Sequence, residues 1–342
     1  MSFSVGIVGL PNVGKSTLFK TLTKKNVDIA PRPFTTINPN IGVVSVPDKR
    51  LNKLAEIIKP EKTTPTVIEF VDIAGLVKGA HKGEGLGNQF LAQIRNCDAI
   101  LNIVRVFKNP EVENVLGQID PEKEIEVIRV ELLMKDLESL EKIISRLDKK
   151  RDKKTSKKIE ALKRIKQGVS QGRLISQIDL TSEEKLEIKE YQALTTKPIL
   201  YILNSDNKPE LSDIKFKHLI MNLKEEEEIL ELSESDKEEL GLESHLDKLV
   251  VACYDILNLI TFFTITGGKE VKAWTITKGS NSLKAGEAVH SDFKDKFIKA
   301  DVIDWQQLVL SGSWSRAREK GLIKTVGKDY QVKDGDVLEF KI

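Results

Sequence analysis

The sequence predicts an α/β protein with a mostly parallel sheet, an inserted antiparallel α-helical coiled-coil hairpin and a small β-rich domain at its C-terminal end. Three observations predict it. Short apolar runs at Val5–Val8, Ile41–Val46, Val67–Val71, Ala99–Val106 and Pro198–Leu203 alternate with helical patterns, as strands covered on both faces by crossover helices do. Between the fourth and fifth runs, Val130, Leu133, Leu137, Leu140, Ile144 and Leu147 recur at alternating spacings of three and four, which is a coiled-coil seam. Beyond Phe262 the texture changes to short strands and turns.

Taken in chain order, the opening MSFSVGIVGL lacks a basic leader ahead of its apolar stretch and a small-residue cleavage site, so it reads as a buried strand and not as a signal peptide. The second arm of the helical insertion carries Ile159, Leu162, Ile165 and Val169 and follows a Lys-rich stretch, so the two arms are expected to fold back on each other. Gly168-Val169-Ser170-Gln171-Gly172 imitates the G-x-S-x-G elbow of hydrolases, but it follows a charged helical arm where an elbow must leave a strand; Gly168 and Gly172 read as helix stops. Residues 225–243 hold ten acidic residues and one basic, a solvated face. Leu249–Ile265 carries Asp255 and Asn258 near its middle, which suits a core helix running into a strand better than a membrane span. Lys333-Asp334-Gly335-Asp336, between Tyr330–Val332 and Val337–Phe340, is a hairpin signal. The expected domains are a sheet domain at 1–125 and 196–261, the helical insertion at 126–195 and the β-rich domain at 262–342.

Composition narrows the function. Lys+Arg 54 against Asp+Glu 52 gives a net charge of only +2, so nucleic-acid binding needs a local basic patch. Two cysteines, Cys97 and Cys253, cannot form a disulfide framework or a cysteine zinc site, and a reducing cytosol is the natural compartment. The histidines at 81, 218, 245 and 290 show no pair at metal-ligand spacing, so no zinc is expected.

The chemistry sits at the first strand. Residues 9–16 read GLPNVGKS, which fits G-x-x-x-x-G-K-[ST], placed after an apolar strand and before a helical pattern. Glycines at 9 and 14 let the backbone curl so that the amides of Asn12, Val13, Gly14, Lys15, Ser16 and Thr17 surround phosphate oxygens; Lys15 adds charge and Ser16 a hydroxyl for Mg²⁺. Asp72, at the end of the strand Val67–Val71, opens a D-x-x-G whose carboxylate reaches Mg²⁺ and whose Gly75 amide senses the γ-phosphate. Between them, the loop Arg32–Pro39 supplies a switch threonine, and Thr36 is favoured over Thr35 as a metal ligand.

The segments GLPNVGKSTLF (residues 9–19), PFTTINPNIG (33–42) and DIAGLVKGAHKGEGLGNQFL (72–91) resemble those of the YchF, or Obg-like ATPase, family of translation-factor-class P-loop NTPases, and the resemblance extends through the whole chain. It implies a coiled-coil insertion in the nucleotide domain and a C-terminal β-grasp domain of the TGS type, whose segments residues 286–293 and 327–340 resemble. It also implies association with ribosomes and a preference for ATP. The fifth strand ends in Asn204-Ser205-Asp206-Asn207, where guanine-specific relatives carry N-K-x-D and the family usually N-x-x-E, so Asn204, Ser205 and Asn207 are candidate base-binding residues, with Asp206 an alternative acceptor. An Asn in place of the carboxylate removes guanine's advantage, and ATP is expected over GTP.

Leu76 stands where Ras-like GTPases place a water-orienting Gln, so hydrolysis is expected to be slow, with His81 a candidate to approach the γ-phosphate. The P-N-x-G-K loop resembles that of potassium-activated enzymes, which makes Asn12 a candidate to hold K⁺. From Arg146 to Lys158, eight basic and two acidic residues mark the tip of the hairpin; Lys149, Lys150, Arg151, Lys153 and Lys154 are the expected contacts to folded rRNA, against the simpler reading of a solvated turn. The expected protein is thus a monomeric, cytoplasmic, Mg²⁺-dependent ATPase acting as a ribosome-associated switch. A GTP-specific enzyme and a nucleotide-binding module without turnover stay open.

Overall fold

A computed structural model of the chain describes residues 3–24, 40–73, 86–149, 153–206 and 216–341. They form two compact units, one of residues 3–42 and 69–246, the other of residues 43–68 and those from 247 onward. Among the described residues no helix is long and apolar enough to cross a membrane.

The chain runs β1 (Phe3–Val8), α1 (Lys15–Lys24), β2 (Ile41–Ser45), α2 (Lys49–Ile58), β3 (Lys62–Thr64), β4 (Val67–Asp72), α3 (Leu86–Asn96) and β5 (Ala99–Arg105). It continues through α4 (Pro121–Asp148), α5 (Lys153–Ser170), α6 (Ser182–Glu190), β6 (Ile199–Asn204), β7 (His218–Met221) and α7 (Leu223–Ile229). Six of these strands form a sheet in the order β2-β4-β1-β5-β6-β7, and the pairs β1–β5, β5–β6 and β6–β7 are parallel. All of β5 is buried, as a strand covered on both faces requires, and Leu18 and Leu22 bury one face of α1. The five apolar runs of the sequence coincide with β1, β2, β4, β5 and β6 to within a residue or two.

Helix α4 is the first arm of the insertion. Asp120 caps it by accepting from the Lys123 amide, and Pro121 starts it with no amide to satisfy. Leu133, Leu140 and Ile144 pack with Ile159, Leu162, Ile165 and Val169 of α5, while Leu137 and Leu147 are partly buried on the same seam. Val130, expected in the seam, is 40% exposed instead. The reason is length: α4 has 28 residues and α5 18, so at 1.5 Å per residue they span about 42 and 27 Å and α4 outruns its partner. Its first turns pack elsewhere, Ile125 lying with Val104, Tyr201 and Leu203 of the sheet. The buried Asp136 of α4 accepts from the Leu194 and Thr195 amides and the Thr195 hydroxyl, fastening the arm to the turn that leads into β6. Gly172 ends the second arm in a left-handed turn (φ 80°), as expected of a stop, but Gly168 lies inside α5, where a Cβ would stand 2.6 Å from Ile178 Cδ1.

The second unit holds a sheet of order β11-β10-β12-β8-β9-β3, with β8 (Leu259–Thr266), β9 (Glu270–Thr277), β10 (Lys299–Asp304), β11 (Lys324–Val326) and β12 (Asp336–Lys341). A helix at Leu246–Ile256 leads into β8, as the sequence suggested. The compact units divide after residue 246 and not at the 261/262 expected from the sequence, and residues 43–68, expected in the first domain, fold with the C-terminal part. Leu51 and Leu54 of α2 pack among Phe263, Val271, Ile303, Leu308 and Val337; β3 pairs parallel with β9; and Arg50 bridges Asp48 and Asp334. The apolar face of α2 fits any apolar sheet, so its pattern does not reveal which sheet receives it. The hairpin expected around Gly335 is also absent: β12 pairs with β10 on one edge and β8 on the other, which leaves no edge for residues 330–332. The turn itself forms, closed by the Asp336 amide on the Lys333 carbonyl.

The seam makes a direct prediction. Leu140→Ala should cost about 2–5 kcal/mol in denaturant unfolding, whereas Val130→Ala should stay within about 0.5 kcal/mol; equal losses would show that both residues face the seam.

Candidate functional site

The chain leaves β1 at Val8, beside Asn102 of β5, and must reverse into α1 at once. Three backbone features make the turn. At Gly9 a Cβ would lie 2.6 Å from the Ile103 carbonyl oxygen, Asn12 adopts φ 63°, and Gly14 adopts φ 107° where a Cβ would lie 2.7 Å from Asn204 Nδ2. A side chain at position 14 meets both a strained φ and a clash. The turn delivers the opening amides of α1, which have no intrahelical acceptor, to one face of the sheet's edge, where an anion is stabilised by N–H dipoles.

Lys15 is only 9% exposed, and its ammonium donates to the Gly9 and Leu10 carbonyls at 3.2 and 2.8 Å. Burial pushes it below the ordinary lysine value, while the charges of Asp72 and Glu124 pull it back up. Asp72 closes β4, its amide donating to the Asn40 carbonyl at 2.9 Å. Burial raises its carboxyl, against the pull of Lys15. Ser16 stands exposed in the first turn of α1. A hydroxyl and a carboxylate are hard oxygen donors, which fit Mg²⁺ and suit soft metals poorly.

Asn204, at the end of β6 and 7% exposed, joins the phosphate loop to the far side of the cleft. Its amide nitrogen donates to the Val13 carbonyl at 3.0 Å and its amide oxygen accepts from the Leu223 amide at 3.1 Å. Ser205 is buried next to it, its amide on the Met221 carbonyl at 3.0 Å. The cleft so formed holds about 700 Å³, lined by Asn12 and residues 14–17, by Phe107, Lys108, Asn109 and Val112, and by Asn204, Asp206, residues 222–224 and Glu227. One end is built of amides and Lys15, another is lined by Phe107 and mixed polar groups, which is the polarity of a nucleotide.

The loop after β5 escaped the sequence reading. Arg105 is 3% exposed, and its guanidinium donates to the Phe107, Asn109, Val112 and Glu113 carbonyls at 3.3, 2.9, 3.0 and 3.2 Å while lying 4.4 Å from the Phe107 ring centre. Asn12 Nδ2 reaches the same loop, 3.3 Å from the Glu113 carbonyl oxygen. Beneath it, the buried Glu124 carboxylate in the first turn of α4 accepts from the Arg105 amide at 3.0 Å. The available signal was an arginine inside an apolar strand, which a buried position tolerates only with several partners.

The structure therefore brings together Asn12, Val13, Gly14, Lys15, Ser16, Thr17, Asp72, Asn204 and Ser205 within one unit. Thr36, Gly75, Leu76, His81 and Asn207 lie outside the described residues, as do Lys150 and Arg151 and the side chains of Lys153 and Lys154. Lys149 is exposed at the end of the first arm.

Residues 4–149 match a family described as 50S ribosome-binding GTPase, and residues 259–342 match the YchF-GTPase C-terminal family, described as a protein of unknown function. Over its full length the chain is 42% identical to a protein of Bacillus subtilis named ribosome-binding ATPase YchF, covering 99% of it. It is 44% identical to the protein of the same name from Escherichia coli O157:H7, with 99% of each covered. Among solved structures, that of the Schizosaccharomyces pombe YchF GTPase superposes with a TM-score of 0.86 at 32% identity, covering 99% of this chain and 98% of that one.

Asn204 makes a prediction about the empty protein. Asn204→Ala leaves the Val13 carbonyl and the Leu223 amide without their partner, at about 1–3 kcal/mol each when buried. A lowered melting temperature without nucleotide is expected; an unchanged one would mean that the side chain serves a ligand alone.

Proposed function

The chain belongs to the YchF family, and on that premise we propose that it is a Mg²⁺-dependent nucleoside triphosphate hydrolase that prefers ATP, turns over slowly and acts as a monomeric, cytoplasmic, nucleotide-switched factor on the ribosome. The observation that carries the reading is Lys15: a buried ammonium at the mouth of a helix N-terminus, hydrogen-bonded to carbonyls and to no carboxylate among the described residues. Phosphate oxygens are stronger acceptors for it than amide carbonyls.

In this reading the amides of residues 12–17 grip the α- and β-phosphates, and Lys15 leaves the Gly9 and Leu10 carbonyls for the β- and γ-oxygens. Ser16, Asp72 and Thr36 would hold Mg²⁺, which when bound neutralises charge on the β- and γ-phosphates. The Gly75 amide senses the γ-phosphate and His81 approaches it. With Leu76 in place of a water-orienting Gln, that position cannot accept from the attacking water, which makes intrinsic hydrolysis slow. K⁺ would need the amide oxygen of Asn12, and that side chain's bond to Glu113 uses its nitrogen, so the two roles are compatible. The Phe107 ring offers the base a stacking face, and the ATP preference rests on the absence of the Lys and Asp of N-K-x-D.

One observation favours a second reading, guanine recognition. Asp206 lines the cleft, and a carboxylate there can accept two guanine donors. Competition of ATP and GTP for a labelled nucleotide with Mg²⁺ separates the readings: ATP should bind about tenfold tighter or more, since an unmatched polar edge costs about 1–3 kcal/mol, and tighter GTP would select the second.

The ribosome enters through the names of the relatives and through the basic run Arg146–Lys158, with residues 262–342 as the TGS-type domain. Replacing Lys149, Lys150, Arg151, Lys153 and Lys154 by Gln should weaken cosedimentation with ribosomes and flatten its salt dependence; an unchanged salt slope would place the contact elsewhere.

A further inference from the structure

Glu124 has no part in the phosphate chemistry above, yet it lies at the junction of three elements. It is 3% exposed in the first turn of α4, and its carboxylate holds the amide of Arg105, the last residue of β5. Arg105 in turn grips four carbonyls of the loop that walls the cleft. The charge of Glu124 also reaches the phosphate loop, since Glu124 and Lys15 each shift the other. We propose that Glu124 is a positioning residue of the nucleotide site: from the root of the helical arm it fixes the end of β5 and the cleft wall, and its negative charge opposes entry of a triphosphate beside Lys15. The inference rests on the nucleotide reading of the cleft.

The charges that face Glu124 are Arg105 on β5, Asp120 at the cap of its own helix, and Lys15 on α1. Burial, with Asp120 assisting, overrides the attraction of Arg105 and Lys15 and raises the carboxyl to about 7. The linkage then has a definite sign. A triphosphate brings negative charge and draws Lys15 to itself, so the bound state holds the Glu124 proton more tightly than the free state. Binding takes up a proton, and affinity falls as pH rises from about 7 towards the higher pKa of the complex. Below that window Glu124 is neutral in both states and imposes no penalty.

Affinity for a methylanthraniloyl-ATP with Mg²⁺, measured from pH 6 to 8.5 on the full chain, tests this with two variants. Glu124→Gln keeps an acceptor for the Arg105 amide and removes the charge. It should match the wild type within about twofold at pH 6 and bind about fivefold tighter at pH 8.5; its own pH profile is the control for titration of the nucleotide itself. Glu124→Ala removes the acceptor too, and should bind about tenfold more weakly than Glu124→Gln at every pH, because the buried amide loses its partner. Parallel pH profiles for the wild type and Glu124→Gln overturn the charge role. Equal affinities for Glu124→Gln and Glu124→Ala overturn the positioning role, and a wild type that binds no nucleotide overturns the reading of the cleft itself.

Discussion

The structure depends on a backbone constraint at the end of β1: the chain must turn from a central strand into a helix while every opening amide of that helix stays available. The turn succeeds because the loop presses against its neighbours with almost no side chain in the way. Gly9 lies against the Ile103 carbonyl of β5, and Gly14 lies against the Asn204 side chain of β6. The parallel order β1-β5-β6 is what brings those two neighbours to the same end of the sheet. Fold and site are therefore one arrangement, and the glycines belong to both.

Around that turn the buried charges are few and mutually dependent. Lys15 is held below its ordinary value by burial, and Asp72 above its own, each restrained by the other. Such a pair, a buried Lys15 on the phosphate loop and a half-buried Asp72 on the next strand, responds to an arriving anion or cation because solvent screens it only in part. The arm enters the same electrostatic neighbourhood through Glu124, while Asp136 anchors it further along to the Leu194–Thr196 turn. The arm is thus tied at two places, to the end of β5 and to the turn before β6.

Much of this was legible in the amino-acid sequence because it is local. Strand positions followed from apolar runs, and the phosphate loop followed from a motif flanked in the sequence by an apolar run and a helical pattern. What escaped was tertiary. Val130 continues the seam in spacing, but only the relative lengths of α4 and α5 decide where pairing stops. The helix α2 reads as part of the first domain and is received by the other sheet, since an apolar face does not name its partner. The Asp-Gly turn at 334–335 forms, yet β12 has both edges taken, so no hairpin follows. Asn204 was visible as a base-motif residue; its two hydrogen bonds to Val13 and Leu223 depend on a loop and a helix far away in sequence. Arg105 and Glu124 belong to no motif, and their meaning lies wholly in what the fold packs around them.

In the proposed function the amides opening α1, together with Lys15, grip a triphosphate. Calorimetric titration of the chain with Mg²⁺-ATP, repeated on Lys15→Ala, tests it most directly. Saturable heat is expected for the native chain, and an affinity reduced about tenfold to a hundredfold in the variant, the worth of charge-assisted hydrogen bonds to phosphate. Equal affinities in the two proteins, or no heat from the native chain with either ATP or GTP, would contradict it.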